Sequence, residues 1–195
     1  YIENIAIFTN YGIPVSSTGT FADQNPYELF IGSEEANHID NNEKTMVWTG
    51  YHPFIDEQLK FKPSNYGISV SKKFLNRFSK PIGYIQLDIS MEVFTDSLAA
   101  LDLPEGSVVA FISPDGREIT KDGNSEETLI FDKTFYTEAI TNEEMNSNET
   151  VEYNGEEHMF IYSKIGETGA MVGALVPSAS ITSKADSIKT LTILI

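Results

Sequence analysis

Apolar and polar positions sort the chain into short strands, two helical stripes and polar connectors. Ile2 to Phe8 is an apolar, β-rich run, and Ile13 to Ser17 is a second one beyond the turn Asn10-Tyr11-Gly12. Glycine closes that turn because the backbone there needs positive φ. Residues 18–45 are polar and rich in turn formers, with a short helix expected from Pro26 to about Ala36, since proline is tolerated in a first helical turn. Met46 to Trp48 reads as a brief strand, and residues 50–65, which hold Pro53 and Pro63, as a long loop. Tyr66 to Phe74 and Pro81 to Ile89 alternate as strands around the polar turn Asn76–Lys80. The period then changes. Met91, Phe94, Leu98 and Leu101 form one stripe of a helix, with Ser90 as its N-cap, and Leu103-Pro104-Glu105-Gly106 ends it.

The same order then repeats. Val109-Ala-Phe-Ile-Ser-Pro-Asp-Gly116 answers Ile5-Ala-Ile-Phe-Thr-Asn-Tyr-Gly12 at an offset of 104 positions, 116 minus 12. Val108–Ile112 and Arg117–Thr120 are strands joined by the Pro-Asp-Gly turn, and residues 121–128 are a polar loop. A helix is expected within Phe135–Met145, followed by strands at Glu149–Tyr153, His158–Ser163 and Ala170–Leu175, with Asn154-Gly155 as a tight hairpin turn. Pro177 closes the sheet. Ser178 or Ser180 then caps a helix whose stripe is Ile181, Ala185, Ile188, Thr192 and Ile195. A repeat this long exceeds the roughly 20–50 residues of solenoid units and marks a duplicated module. The expected fold class is α+β: two tandem modules, each an antiparallel sheet with segregated helices. The expected divisions are 1–90, a connecting helix and linker at 91–103, a second module at 104–177, and an exit helix at 178–195.

Charge and cysteine content narrow the chemistry. With 13 Lys and Arg against 29 Asp and Glu, the net charge is -16, which argues against nucleic acid and anionic membrane surfaces as partners. Zero cysteine removes disulfides, thiolate metal sites and thiol nucleophiles. No run of about 18 apolar residues is present, and no signal peptide. The abrupt start at Tyr1 and the apolar finish Leu191-Thr-Ile-Leu-Ile195 read as cuts within a longer chain. No P-loop, Gly-x-Ser-x-Gly elbow or dinucleotide fingerprint occurs, and no enzyme activity or cofactor is expected. His38, His52 and His158 lack metal-ligand spacing and are expected at the surface or in loops.

The layout resembles the tandem Cache sensor domain, two PAS-like modules found outside the membrane in bacterial chemoreceptors and sensor kinases. The pieces that carry the resemblance are Tyr1-Ile-Glu-Asn-Ile-Ala-Ile-Phe…Gly12, the Trp48 strand, Tyr66-Gly-Ile-Ser-Val-Ser-Lys-Lys, Pro81-Ile-Gly-Tyr-Ile-Gln-Leu-Asp88-Ile, Phe111-Ile-Ser-Pro-Asp-Gly116 and Gly173-Ala-Leu-Val-Pro177. They span nearly the whole chain, although the family's long N-terminal helix is missing. The resemblance implies an extracellular domain of a membrane-anchored receptor that is a homodimer when intact. It also implies that the membrane-distal module binds a small ligand, that the proximal one relays, and that the exit helix carries the signal. The exit segment looks most like that of methyl-accepting chemotaxis proteins. In amino-acid-binding members an Arg-x-Trp clamp holds the ligand carboxylate and an Asp holds its ammonium. Trp48 and Asp88 match the latter two, but Met46 stands where the arginine would be, and Lys44 cannot form its bidentate fork. An amine or other cation, a purine-like ring or an uncharged polar metabolite is therefore as well suited as an amino acid.

Candidate ligand-binding residues are Trp48, Tyr51, Tyr66, Ser69, Gln86 and Asp88, with Ser71 on the same strand face as Ser69. Alternation puts Ile82, Tyr84, Gln86 and Asp88 on one face, mixed as a pocket wall would be. Gly83, Ile85, Leu87 and Ile89 occupy the other, which reads as core against a helix. Three polar-tipped aromatics suit stacking on a flat or cationic ligand. Each candidate has a structural alternative: Asp88 as a helix cap, Trp48 as core, and Ser69 and Ser71 as a solvated strand face. The second copy is mostly apolar over the matching strands, with Met159, Tyr162, Met171, Ala174 and Val176. A pocketless module that contacts a binding protein is the competing class of function.

Overall fold

The computed structural model describes residues 1–23, 25–44, 46–60 and 65–181. The chain divides into two compact units, Tyr1–Glu92 and Val93–Ile195. It is an α+β protein with one antiparallel sheet per unit.

The first sheet contains β1 (Ile2–Thr9), β2 (Val15–Ser16), β3 (Met46–Thr49), β4 (Tyr66–Leu75) and β5 (Pro81–Ser90), in the order β2-β1-β5-β4-β3. Three short helices accompany it: α1 (Pro26–Phe30), α2 (Glu34–Asp40) and α3 (Pro53–Gln58). Helix α4 (Met91–Ala99) follows β5 directly. The second sheet contains β6 (Val108–Ile112), β7 (Glu118–Thr120), β8 (Gly123–Asn124), β9 (Asn146–Tyr153), β10 (Glu156–Lys164) and β11 (Met171–Pro177). Its order is β8-β7-β6-β11-β10-β9. Helix α5 (Thr134–Thr141) packs on it, and α6 (Ser178–Ile181) follows β11. The duplication read from the sequence is therefore topological: β1, β5, β4 and β3 have β6, β11, β10 and β9 as counterparts. The turn glycines Gly12 and Gly116 hold φ of 88° and 84°, as the opening hairpin of each copy requires. The expected exit helix beyond Ile181 lies outside the described residues.

Two helical expectations change. The segment 26–40 is two helices rather than one, because Ser33 interrupts it and caps α2 by accepting the Ala36 N–H at 3.1 Å. The expected loop at 50–65 contains α3. Its Pro53 does not break the helix but occupies the first turn, where no N–H is needed, and Ile55 and Leu59 bury their side chains.

The larger correction concerns which face of β5 is inside. Tyr84, Gln86 and Asp88 are buried, whereas Ile85, Leu87 and Ile89 are only half-buried. On β4 the inner residues are likewise Ser69, Ser71 and Lys73, and on β1 they are Asn4, Ala6 and Phe8. One end of this inner face is an aromatic core: Phe8, Phe30 and Tyr84 meet at ring separations of 4.7–5.6 Å. The other end is polar. An interior polar wall is tolerable only if its groups satisfy one another, because each buried unpaired group costs about 1–3 kcal/mol. Lys73 shows how this is done. Its ammonium donates to the carbonyls of Ile39, Asp40 and Asn42 at 3.1, 3.0 and 3.0 Å, closing the C-terminal end of α2. Tyr84 donates its hydroxyl to the Asp40 carboxylate, and burial together with that partner pushes its phenol far up.

The second unit has an apolar inner face. Ala110, Ile112, Phe160, Tyr162, Met171 and Leu175 form its core with Phe135 and Tyr136 of α5. Ala174 and Val176 belong to a separate cluster with Met159 on the opposite face. No helix among the described residues is long and apolar enough to cross a membrane.

Candidate functional site

Five of the six residues singled out from the sequence stand on or beside one polar cluster; the sixth does not. Asp88 is its centre and is fully buried. Its Oδ1 accepts from His52 Nε2 at 2.7 Å and from the Ser69 hydroxyl at 2.6 Å, and its Oδ2 accepts from Asn4 Nδ2 at 3.1 Å. These partners come from the α3 entry, β4 and β1, so the carboxylate ties three segments together rather than capping α4. Asn4 turns its carbonyl oxygen to the hydroxyls of Ser16, Ser17 and Thr18 at 2.8, 3.2 and 2.9 Å.

His52 is the main residue that sequence reading misplaced. It is buried, not a loop histidine at the surface. It sits just before Pro53, which starts α3, so Asp56 lies one helical turn on and faces the same way. His52 Nδ1 is 3.3 Å from Asp56 Oδ1 while Nε2 contacts Asp88. The sequence signal was the His52–Asp56 spacing of i and i+4 behind a proline at the first helical position. Burial alone pushes the imidazole down. The hydrogen bond and charge of Asp88, followed by the charges of Asp56 and Glu35, outweigh it and hold His52 above its ordinary value. His158 is also buried, against the Tyr153 ring at 5.4 Å, while His38 is exposed as expected.

Tyr66 and Tyr51 flank this histidine. The rings of His52 and Tyr66 stack at 4.4 Å and 5°, and Tyr51, half-exposed, lies parallel to Tyr66 at 6.3 Å. Tyr66 donates its hydroxyl to Asp56 Oδ2 at 2.8 Å and accepts the His52 main-chain N–H at 3.2 Å, with its phenol pushed well up by burial. Ser69 and Ser71 are interior, not a solvated face. Ser71 stands directly opposite Gln86 in the β4–β5 register and opposite Val47 in the β3–β4 register. Thr49 stands opposite Ser69. Trp48 pairs with Val70, and Val70 with Leu87, so its side chain leaves the sheet on the face away from Asp88. The residues of β3 that share the Asp88 face are Val47 and Thr49.

His52 makes the stability of this unit pH-dependent. The unfolded histidine titrates near 6.5 and the folded one higher, so the stabilisation is complete below about pH 6.5 and is lost as pH rises through the folded value. Urea denaturation from pH 5.5 to 8.5 should show a falling midpoint at the alkaline end. His52→Gln should remove that slope, and a slope that persists in the variant would contradict the assignment.

The fold is similar to that of the extracellular domains of histidine kinases and of the ligand-binding domains of chemoreceptors. The extracellular domain of rpHK1S-Z16, described as a histidine kinase, superimposes with a TM-score of 0.64 at 15% identity, over 93% of this chain and 73% of that one. The ligand-binding domain of the Pseudomonas fluorescens chemoreceptor CtaA, in complex with L-isoleucine, gives 0.56 at 12% identity over 93% and 71%. The ligand-binding domain of Mlp24 with asparagine gives 0.54 at 14% identity over 95% and 72%. At these identities the likeness is one of fold. No protein-family model and no curated protein sequence matches the chain.

Proposed function

We propose that this chain is the extracellular ligand-sensing domain of a bacterial transmembrane chemoreceptor. In this reading the Tyr1–Glu92 unit is the membrane-distal module and binds a small metabolite. The Val93–Ile195 unit relays, and α6 with the chain beyond it carries the signal towards the membrane of a dimeric receptor. Its role is binding, not catalysis. The observation that carries the reading is the difference between two copies of one sheet. The inner face of the first presents Ser69, Ser71, Gln86 and Asp88 where the second presents Phe160, Tyr162, Gly173 and Leu175. A ligand pocket needs a few convergent polar groups on an apolar frame, and only the first copy supplies them on its central strands.

The likeness to rpHK1S-Z16 supports a sensor-kinase output, as the likeness to CtaA and Mlp24 supports chemotaxis. Both outputs share the ligand step, in which a ligand biases two states only by its differential affinity for them. A metabolite screen by thermal shift tests that step. Stabilisation that saturates with concentration supports the sensing role. A screen in which no small molecule shifts the Tm sinks it in favour of a module that contacts a protein partner.

A further inference from the structure

The charged groups of the polar wall already face one another or the main chain. Among the described residues, the buried cations of the first unit are His52 and Lys73. His52 lies between Asp88 and Asp56, and Lys73 gives its ammonium to three main-chain carbonyls. Asp88 accepts three hydrogen bonds, Asp56 faces His52 and accepts from Tyr66, and Asp40 holds Tyr84. Glu35, half-buried, accepts the Phe54 N–H at 2.6 Å.

What is left uncommitted on this face is neutral. Ser71 is 1% exposed and its hydroxyl has no hydrogen-bond partner. The Thr49 hydroxyl is also buried without a partner. Gln86, 3% exposed, is a neutral carboxamide on the same face. The three belong together: Ser71 faces Gln86 across β4–β5, and Thr49 stands opposite Ser69, two residues from Ser71 on the same face. Directly opposed side chains have Cβ atoms about 5 Å apart, and diagonal neighbours lie within reach of a small molecule.

We infer that this module, if it senses a small molecule as proposed above, is built for an uncharged ligand bearing hydroxyl groups, a polyol or monosaccharide, held by Ser71, Gln86 and Thr49. A ligand ammonium entering here finds its natural counter-charge, Asp88, occupied by the protein's own His52. A ligand carboxylate finds His52 already lying between the carboxylates of Asp88 and Asp56, and Lys73 donating to three main-chain carbonyls. Either ion would lose its hydration without a charge to replace it, which is far costlier than burying a hydroxyl that is hydrogen-bonded. A hydroxyl donates and accepts at once, so it can pair with a serine, a threonine or either end of a carboxamide.

Calorimetry and thermal shift on the intact chain decide it, with three probe sets: polyols and monosaccharides; isoleucine, leucine and asparagine; and simple alkylamines. The hydroxylated set should raise the Tm and bind, and the other two should not. Ser71→Ala removes an unpaired hydroxyl and leaves the fold intact. It should weaken binding of the hydroxylated probe about fivefold. Gln86→Leu should do the same by a similar factor. An amino acid or amine that binds as tightly as the hydroxylated compounds overturns the ligand class and leaves the sensing role standing. A hydroxylated probe whose affinity ignores both substitutions overturns the assignment of these residues. Silence from all three sets overturns the inference, and the full metabolite screen then decides the sensing role separately.

Discussion

Asp88→Ala should cost the Tyr1–Glu92 unit about 3–5 kcal/mol, the range for breaking a buried ion pair by removing one partner. That is a large part of the 5–15 kcal/mol that holds a typical domain together. The size follows from what is left behind. His52, pressed against Tyr66 at 4.4 Å, loses its 2.7 Å acceptor, and Ser69 and Asn4 lose theirs. Asn4 in turn organises Ser16, Ser17 and Thr18, so the loss reaches the β1–β2 edge. Asp88→Asn is the informative companion. It keeps the shape and one acceptor but removes the charge, so it should cost less. It should also let burial dominate at His52, dropping the imidazole below its present value. Trp48 is the only tryptophan and lies in this unit, so its fluorescence follows the unfolding, while imidazole NMR follows His52. A loss under about 1 kcal/mol for Asp88→Ala would mean that the cluster is solvated rather than buried, which is the surface-pair range.

The same cluster shows where sequence reading stops. The strands, both hairpin turns and the duplication were legible because each is local: alternation of period two, a glycine at positive φ, an Asn-Gly pair at Asn154 and Gly155. The partners of Asp88 are not local. Asn4 is separated from it by 84 positions and His52 by 36, and no spacing rule connects them. His52 does lie in the loop before α3, but proline in the first turn starts that helix, which carries the histidine inside and sets Asp56 one turn on. The inside of β5 was inverted for a related reason. Ile85, Leu87 and Ile89 look like core by composition, but a polar face is equally able to turn inward when its groups pair with one another, as those around Asp88 and Lys73 do. Of the six candidate residues, Trp48 is set apart from Asp88 by parity alone. A one-residue difference in register sends a side chain through the sheet, and its neighbours Val47 and Thr49 occupy the face intended for it.

Glu118→Ala should be the most damaging single substitution in the second unit, at about 3–4 kcal/mol, since each buried N–H left unpaired costs about 1–3 kcal/mol and water recovers only part of it. Glu118 stands on β7, opposite Ile112, and is buried. Its carboxylate accepts three successive main-chain N–H groups: Leu129 at 2.7 Å on Oε2, and Ile130 at 2.6 Å and Phe131 at 2.5 Å on Oε1. Consecutive N–H groups converging on one point form a concave anion site, and here the protein fills it with its own side chain. The bond set fixes more than a loop. Ile130 is fully buried in the core with Phe135 and Phe160, and the Phe131 ring lies over Gly116, whose added Cβ would fall 2.3 Å from it. Releasing residues 129–131 therefore withdraws Ile130 from the core and uncovers the opening hairpin of this copy. Glu118→Gln retains one carbonyl oxygen and should lose about half as much. Amide hydrogen exchange at Leu129, Ile130 and Phe131 reads the effect directly. Protection at these three positions should collapse in Glu118→Ala before the β10–β11 ladder exchanges, and protection that survives there would show that the core, not the carboxylate, holds the segment.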